Sequence, residues 1–79
     1  MDREEILSRV TEVVSDVLGV PEDEISEDSE FVADLGAESI QSLELVASFE
    51  EEFEIEMDEE RALQVQSVGD AVDFIAEYI

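Results

Sequence analysis

Residues 34–53 read DLGAESIQSLELVASFEEEF. A glycine, Gly36, precedes an apolar pattern with helical spacing. Plotted at about 100° per residue, Leu45, Val46, Phe49 and Phe53 fall on one arc, as expected of an amphipathic helix facing a core. The spacing predicts a helix over about 39–53. Ile40, Leu43 and Ala47 occupy a neighbouring arc. The apolar face is therefore wider than one core contact requires. Glu44 and Glu51 flank the second strip on its outer side. Ser39 stands at the head of this helix, just past the glycine.

Working outward, the same periodicity appears twice more. Ile6, Leu7, Val10, Val13, Val14, Val17 and Leu18 predict a helix from about Asp2 to Leu18. Asp2 with Glu5 reads as a capping box, and Gly19 followed by Pro21 reads as a stop. Val68, Ala71, Val72 and Ile75 predict a helix over about 68–78, with Ser67 and Asp70 as its capping pair. A short helix is expected over about 58–65, capped by Asp58, with Ala62 and Val65 facing inward. Glu54 to Met57 alternates only briefly and reads as a connector. Residues 19–38 form a long irregular stretch, and Ile25, Phe31 and Leu35 are spaced to pin it to the core. A short helical turn is expected after Pro21. Tyr78 and Ile79 are expected to pack against the first helix. The fold class is all-α: a small bundle of three longer helices and one short one, with a long first loop.

Composition sets the limits. Seventy-nine residues allow one domain, taken here as residues 1–79. Hydrophobic residues make up 44% of the chain, enough for a core despite a net charge of −22. Cysteine is absent, so disulfides and thiolate metal sites are excluded. The chain has 25 acidic residues against 3 arginines, with no lysine or histidine. That balance repels nucleic acid and anionic membrane and favours basic protein partners. Adaptation to high salt is a compatible account of the acidity. No EF-hand spacing is present, so no dedicated metal site is expected. The amino terminus does not read as a secretion signal, and no segment reaches the roughly 20 apolar residues of a membrane span. A cytoplasmic monomer is expected.

Three roles are open to Ser39. It could cap the helix, as serine often does. It could be a nucleophile, but no histidine or lysine is present to take its proton, and Gly36-Ala37-Glu38-Ser39 lacks the glycine that follows the serine of a hydrolase elbow. It could instead be modified by another enzyme. A phosphate ester suits a helix start, where unpaired N–H groups and the helix dipole favour an anion.

Asp34-Leu35-Gly36-Ala37-Glu38-Ser39-Ile40 resembles the phosphopantetheine attachment motif of acyl carrier proteins, usually Asp-Leu-Gly-Ala-Asp-Ser-Leu. The resemblance continues through Glu44-Leu45-Val46 and Glu50-Glu51-Glu52-Phe53. It also takes in Leu18-Gly19-Val20 and the closing stretch Val68-Gly69-Asp70-Ala71-Val72-Asp73-Phe74-Ile75, so it spans nearly the whole chain. Glu38 and Ile40 depart from the usual residues but keep their chemical type. Asp58 stands where proline is common. The resemblance implies a bundle of about four helices and a 4'-phosphopantetheine arm on Ser39, with Asp34, Leu35, Gly36, Glu38 and Ile40 forming the surrounding motif. It further implies a freestanding, non-enzymatic carrier of acyl chains for fatty acid or polyketide-type synthesis. Its partners would be a phosphopantetheinyl transferase and acyl-transferring or acyl-elongating enzymes with basic docking patches. Ile40, Leu43, Glu44, Ala47 and Glu51 would meet those partners. Ile40 and Leu43 could equally lie under the long loop, and the inner wall of that strip could line a space for the acyl chain. The rival of another class is an unmodified acidic domain that binds basic proteins.

Overall fold

The computed structural model describes residues 1–79. Its α-helices are α1 (Arg3–Leu18), α2 (Ser39–Phe53), α3 (Glu59–Ala62) and α4 (Val68–Ala76). The expected architecture of three longer helices and one short one is what forms. Asp2 caps α1 by accepting from the Glu5 N–H at 2.8 Å, and Ser67 caps α4 by accepting from the Asp70 N–H at 3.1 Å. Gly19 ends α1 in the left-handed region, at φ 69°, and donates its N–H to the Ser15 carbonyl at 2.9 Å. Few side chains tolerate that φ, so glycine there stops the helix cleanly.

The core follows the apolar spacing. α1 buries Ile6, Val10, Val13 and Val14. α2 contributes Leu45, Phe49 and Phe53, and α4 contributes Val68, Ala71, Val72, Phe74 and Ile75. α1 lies against both α2 and α4. The most deeply buried large side chains are Ile6, Val10 and Val14 of α1 with Val68, Val72 and Ile75 of α4. Fully burying each of these stabilises the fold by roughly 1.5–3 kcal/mol before chain entropy is subtracted.

The long first loop is fastened to the bundle. Glu22–Glu24 make one 3-10 turn after Pro21. Phe31 is buried, while Ile25 and Leu35 are half-buried against the core. Backbone bonds then join the loop to the α3–α4 connection. Phe31 N–H donates to the Gln66 carbonyl at 2.9 Å, and Val68 N–H to the Ser29 carbonyl at 3.0 Å. Residues 30 and 67 form a single antiparallel bridge.

Two helices are shorter than their patterns predict. α3 ends at Ala62 rather than near Val65, because Gln64 and Val65 donate to carbonyls three residues back and tighten the chain into a turn. α4 ends at Ala76 for the same reason, with Glu77 and Tyr78 donating to Phe74 and Ile75. Tyr78 is half-buried against the core, but its specific contacts lie away from α1. Its ring meets Phe74 edge-on at 5.3 Å, and its hydroxyl accepts from the Asp58 N–H at 3.1 Å. Ile79 is half-exposed.

All three arginines make bridges between elements. Arg3 pairs with Glu27 of the loop and with Asp73 of α4, and these hydrogen bonds, Glu27 first, raise its guanidinium pKa above the ordinary value. Arg9 binds the Glu52 carboxylate at 2.7 Å and the Glu52 carbonyl, and it lies over the Phe53 ring at 4.7 Å. Arg61 binds Glu77 at 3.1 Å and lies over the Phe74 ring at 5.0 Å. The surface is left with carboxylates and no spare guanidinium.

Candidate functional site

The segment leading to Ser39 is shaped by its own backbone. Asp34 accepts from the Glu30 N–H at 2.8 Å, closing residues 30–34 into a turn. Asp34 and Leu35 both donate their N–H groups to the Glu30 carbonyl, and Ala37 donates to the Phe31 carbonyl at 2.8 Å. Leu35 and Ala37 point inward, Ala37 being buried. Gly36 between them has φ 71°, and a Cβ placed there would meet nothing within 4 Å. The glycine is therefore required by its torsion angle rather than by crowding. The turn it allows brings the chain out of the core and into α2.

Ser39 is the first helical residue of α2, and the preceding Glu38 takes the cap position in extended geometry. The reading of Ser39 as the cap is thus corrected. The Glu38 N–H donates to Gln41 Oε1 at 2.9 Å. The cap bonds at this helix start are made without Ser39, whose side chain is exposed. Its backbone N–H is among the first-turn amides that have no carbonyl inside the helix. α1, α3 and α4 carry acids in their first turns, whereas α2 carries none.

Ile40 is 64% exposed and Leu43 is 48% exposed. The alternative in which both lie under the loop does not hold. Leu45, Phe49 and Phe53 already fill the core-facing side of α2, and the loop anchors itself elsewhere through Phe31 and Leu35. Ala47, Glu44 and Glu51 are also exposed. An apolar strip with carboxylates along it therefore faces solvent from the helix that starts at Ser39.

The inner side of α2 borders a cavity of about 430 Å³. Ser42, Leu45, Val46 and Phe49 line it from α2, Ala62 from α3, and Phe74 from α4. Ser42 lies one helical turn beyond Ser39. The sequence suggested that the Ile40–Leu43 strip would border such a space, but Val46 and Ser42 do so instead. The wide apolar face of α2 was the available signal. Its Val46 edge turns toward the cavity, and its Leu43 edge turns outward.

A family model described as a phosphopantetheine attachment site matches residues 8–75. The chain belongs to the phosphopantetheine-attachment family. Domains of this family are the sites of covalent 4'-phosphopantetheine attachment, and they carry cargo rather than catalyse. Among solved structures, a candidate acyl carrier protein from Mycobacterium tuberculosis has a similar fold, with a TM-score of 0.84 and 24% sequence identity. The match covers 91% of this chain and 96% of that one. The all-α fold is therefore that of an acyl-carrier-like domain, and no helix is long and apolar enough to cross a membrane.

Proposed function

We propose that residues 1–79 act as one acyl-carrier domain whose 4'-phosphopantetheine arm is joined through a phosphodiester to Ser39. It would deliver acyl groups to fatty acid or polyketide-type biosynthetic enzymes, as a monomer in the cytoplasm. The observation that carries this reading is the placement of Ser39: an exposed hydroxyl, free of capping duty, on the first residue of a 15-residue helix whose first turn holds no acid. Unlike the starts of α1 and α4, it has no carboxylate within the first turn to compete with a phosphate for the free amides, and Glu38 at the cap is its one neighbouring acid. When attached, the arm supplies a terminal thiol on which acyl groups travel as thioesters, a group this cysteine-free chain lacks.

The chain's own residues have distinct tasks. Asp34 closes the turn, Leu35 anchors it and Gly36 redirects it. Glu38 starts the helix. The amides of the first α2 turn favour the phosphate oxygens. Ile40, Leu43 and Ala47 give a transferase or an acyl-handling enzyme an apolar contact, and Glu44 and Glu51 meet basic groups around it. Complementary charge raises encounter rates more than affinity, which suits a shuttle that must leave each partner. The apolar cavity beside Ser42 offers the acyl chain shelter from water.

The test is to incubate the protein with a phosphopantetheinyl transferase and an acyl-coenzyme A. The intact mass is expected to rise by one arm plus its acyl group. An unchanged mass under conditions that load a known carrier would overturn the proposal and leave the acidic interaction domain as the reading.

A further inference from the structure

The start of α4 is closed by the long first loop. Its first-turn amides all find partners outside the helix ladder. Val68 N–H donates to the Ser29 carbonyl at 3.0 Å, Gly69 N–H to the Glu27 carbonyl at 2.9 Å, and Asp70 N–H to Ser67 Oγ at 3.1 Å. Glu27 is held a second time through its carboxylate. It pairs with Arg3, whose Nε donates to Asp73 Oδ1 at 3.2 Å, one helical turn beyond Gly69. So close an approach needs a bare backbone. A Cβ on Gly69 would stand 3.1 Å from the Glu27 carbonyl oxygen and 3.5 Å from the Glu27 Cβ, whereas Gly19 and Gly36 have open space around them. Gly69 lies inside α4, so the contact calls for glycine and the torsion does not.

From this seat the chain leads straight to Ser39. Ser29, the one buried polar residue, accepts from the Ser26 N–H at 3.0 Å and keeps residues 26–29 folded. Glu30 comes next and bridges to Ser67. Both of its backbone groups close the turn before α2: its N–H donates to Asp34 Oδ2 at 2.8 Å, and its carbonyl accepts from Asp34 at 2.9 Å and Leu35 at 3.0 Å. We propose that Gly69 is a positioning residue for the modification of Ser39: it seats Glu27 on α4, and the seat holds the residues from which the Ser39 turn is built. The coupling of seat and turn is a property of the fold; its consequence for arm transfer rests on the function proposed above. In that transfer Ser39 Oγ bonds to the phosphorus that carries the arm in coenzyme A, the bond from that phosphorus to the nucleotide part breaks, and the Oγ proton passes to a base of the transferase. A displaced Oγ slows this step without weakening docking.

The test uses the full chain with Gly69→Ala and Gly69→Val, which crowd Glu27 by increasing amounts. Gly19→Ala is the control for strain that leaves Glu27 untouched. Amide exchange is read at Asp34, Leu35 and Ala37, whose N–H groups bond to the Glu30 and Phe31 carbonyls. Val10 and Val14 report on the core. Gly69→Val should speed exchange in the turn by about three- to tenfold and leave the α1 amides unchanged, with Gly69→Ala intermediate. The kcat for loading by a phosphopantetheinyl transferase should fall by a similar factor, with KM for the carrier unchanged. In an Asp34→Ala background the turn is already open, so Gly69→Val should add little to exchange at Leu35 and Ala37. Unchanged exchange in the turn would overturn the inference, as would acceleration matched in α1, additive effects in the double variant, or a loading defect carried by KM or reproduced by Gly19→Ala. If the unsubstituted chain never loads at Ser39, the function proposed above falls, and with it the role of Gly69 in transfer; the exchange rates still decide whether seat and turn are coupled.

Discussion

Raising the salt concentration should stabilise this protein by a large margin. The chain carries a net charge of −22 within a radius of gyration of 11.0 Å, and all three arginines are held in bridges within the fold. At 0.1 M salt the Debye length is about 10 Å, so carboxylates on different helices repel one another; at 1 M it is about 3 Å, and only near neighbours do. Spread over a sphere of this size in water, the charge repels itself by about 30 kcal/mol at 0.1 M and about 12 kcal/mol at 1 M. The unfolded chain, with a radius of gyration of about 27 Å, retains about 6 and about 2 kcal/mol at the same concentrations. Screening therefore favours the folded state by up to about 14 kcal/mol, against a usual domain stability of about 5–15 kcal/mol. Diffuse counterions neutralise part of the charge, and a gain of at least about 2 kcal/mol is expected, raising Tm by roughly 10–20 °C. The assay is thermal and urea unfolding followed by circular dichroism at neutral pH, from 0.1 to 1 M sodium chloride. Screening predicts a steep early rise that flattens as the Debye length shrinks. A Tm constant within a few degrees would refute the reasoning, and a rise that only begins at high salt would assign the effect to salting-out.

Gly19 and Gly36 share a positive φ with open space around them, so Gly19→Ala and Gly36→Ala should each cost about 1 kcal/mol, or roughly 4–8 °C in Tm. Only Gly36→Ala should also slow loading by the transferase, which parallel kinetics on the two variants would show. Glu44→Lys or Glu51→Lys should slow acyl transfer from the loaded protein, and more so at low salt, while Glu12→Lys on α1 should not; stopped-flow transfer rates at two ionic strengths check this. Arg9→Met should destabilise the bundle by about 1–2 kcal/mol in urea unfolding, since the Glu52 carboxylate and carbonyl lose their shared donor.

The sequence carried most of the fold because its helices are marked twice. Ile6, Val10 and Val14 keep one face over the length of α1, and Gly19 ends it with a torsion that few other residues accept. The same double marking holds for α4, where Ser67 supplies the cap. The last turns of α3 and α4 were not legible. They are tightened by N–H groups that donate three residues back, and the Tyr78 hydroxyl reaches the Asp58 cap at the start of α3 across 20 positions; no periodicity encodes either. Around Ser39 the motif identified the residue but not its neighbour's task. Serine is a better cap by type than glutamate, yet Glu38 takes the cap. The exposure of Ile40 was undecidable from a wide apolar face, since only the path of the loop determines which edge it covers. The cavity is a gap between packed elements, and it shows only once Ala62, Leu63 and Phe74 are in place. The arginine bridges were hidden for a related reason, as each arginine had many carboxylates to choose from.

The placement of the arm on Ser39 is tested most directly by fragment-ion mapping of the protein after reaction with a phosphopantetheinyl transferase and coenzyme A. The account predicts a single arm per chain, borne by Ser39, absent from Ser39→Ala and retained by Ser42→Ala one turn along the same helix. An arm found on another serine, or on the Ser39→Ala protein, would contradict it.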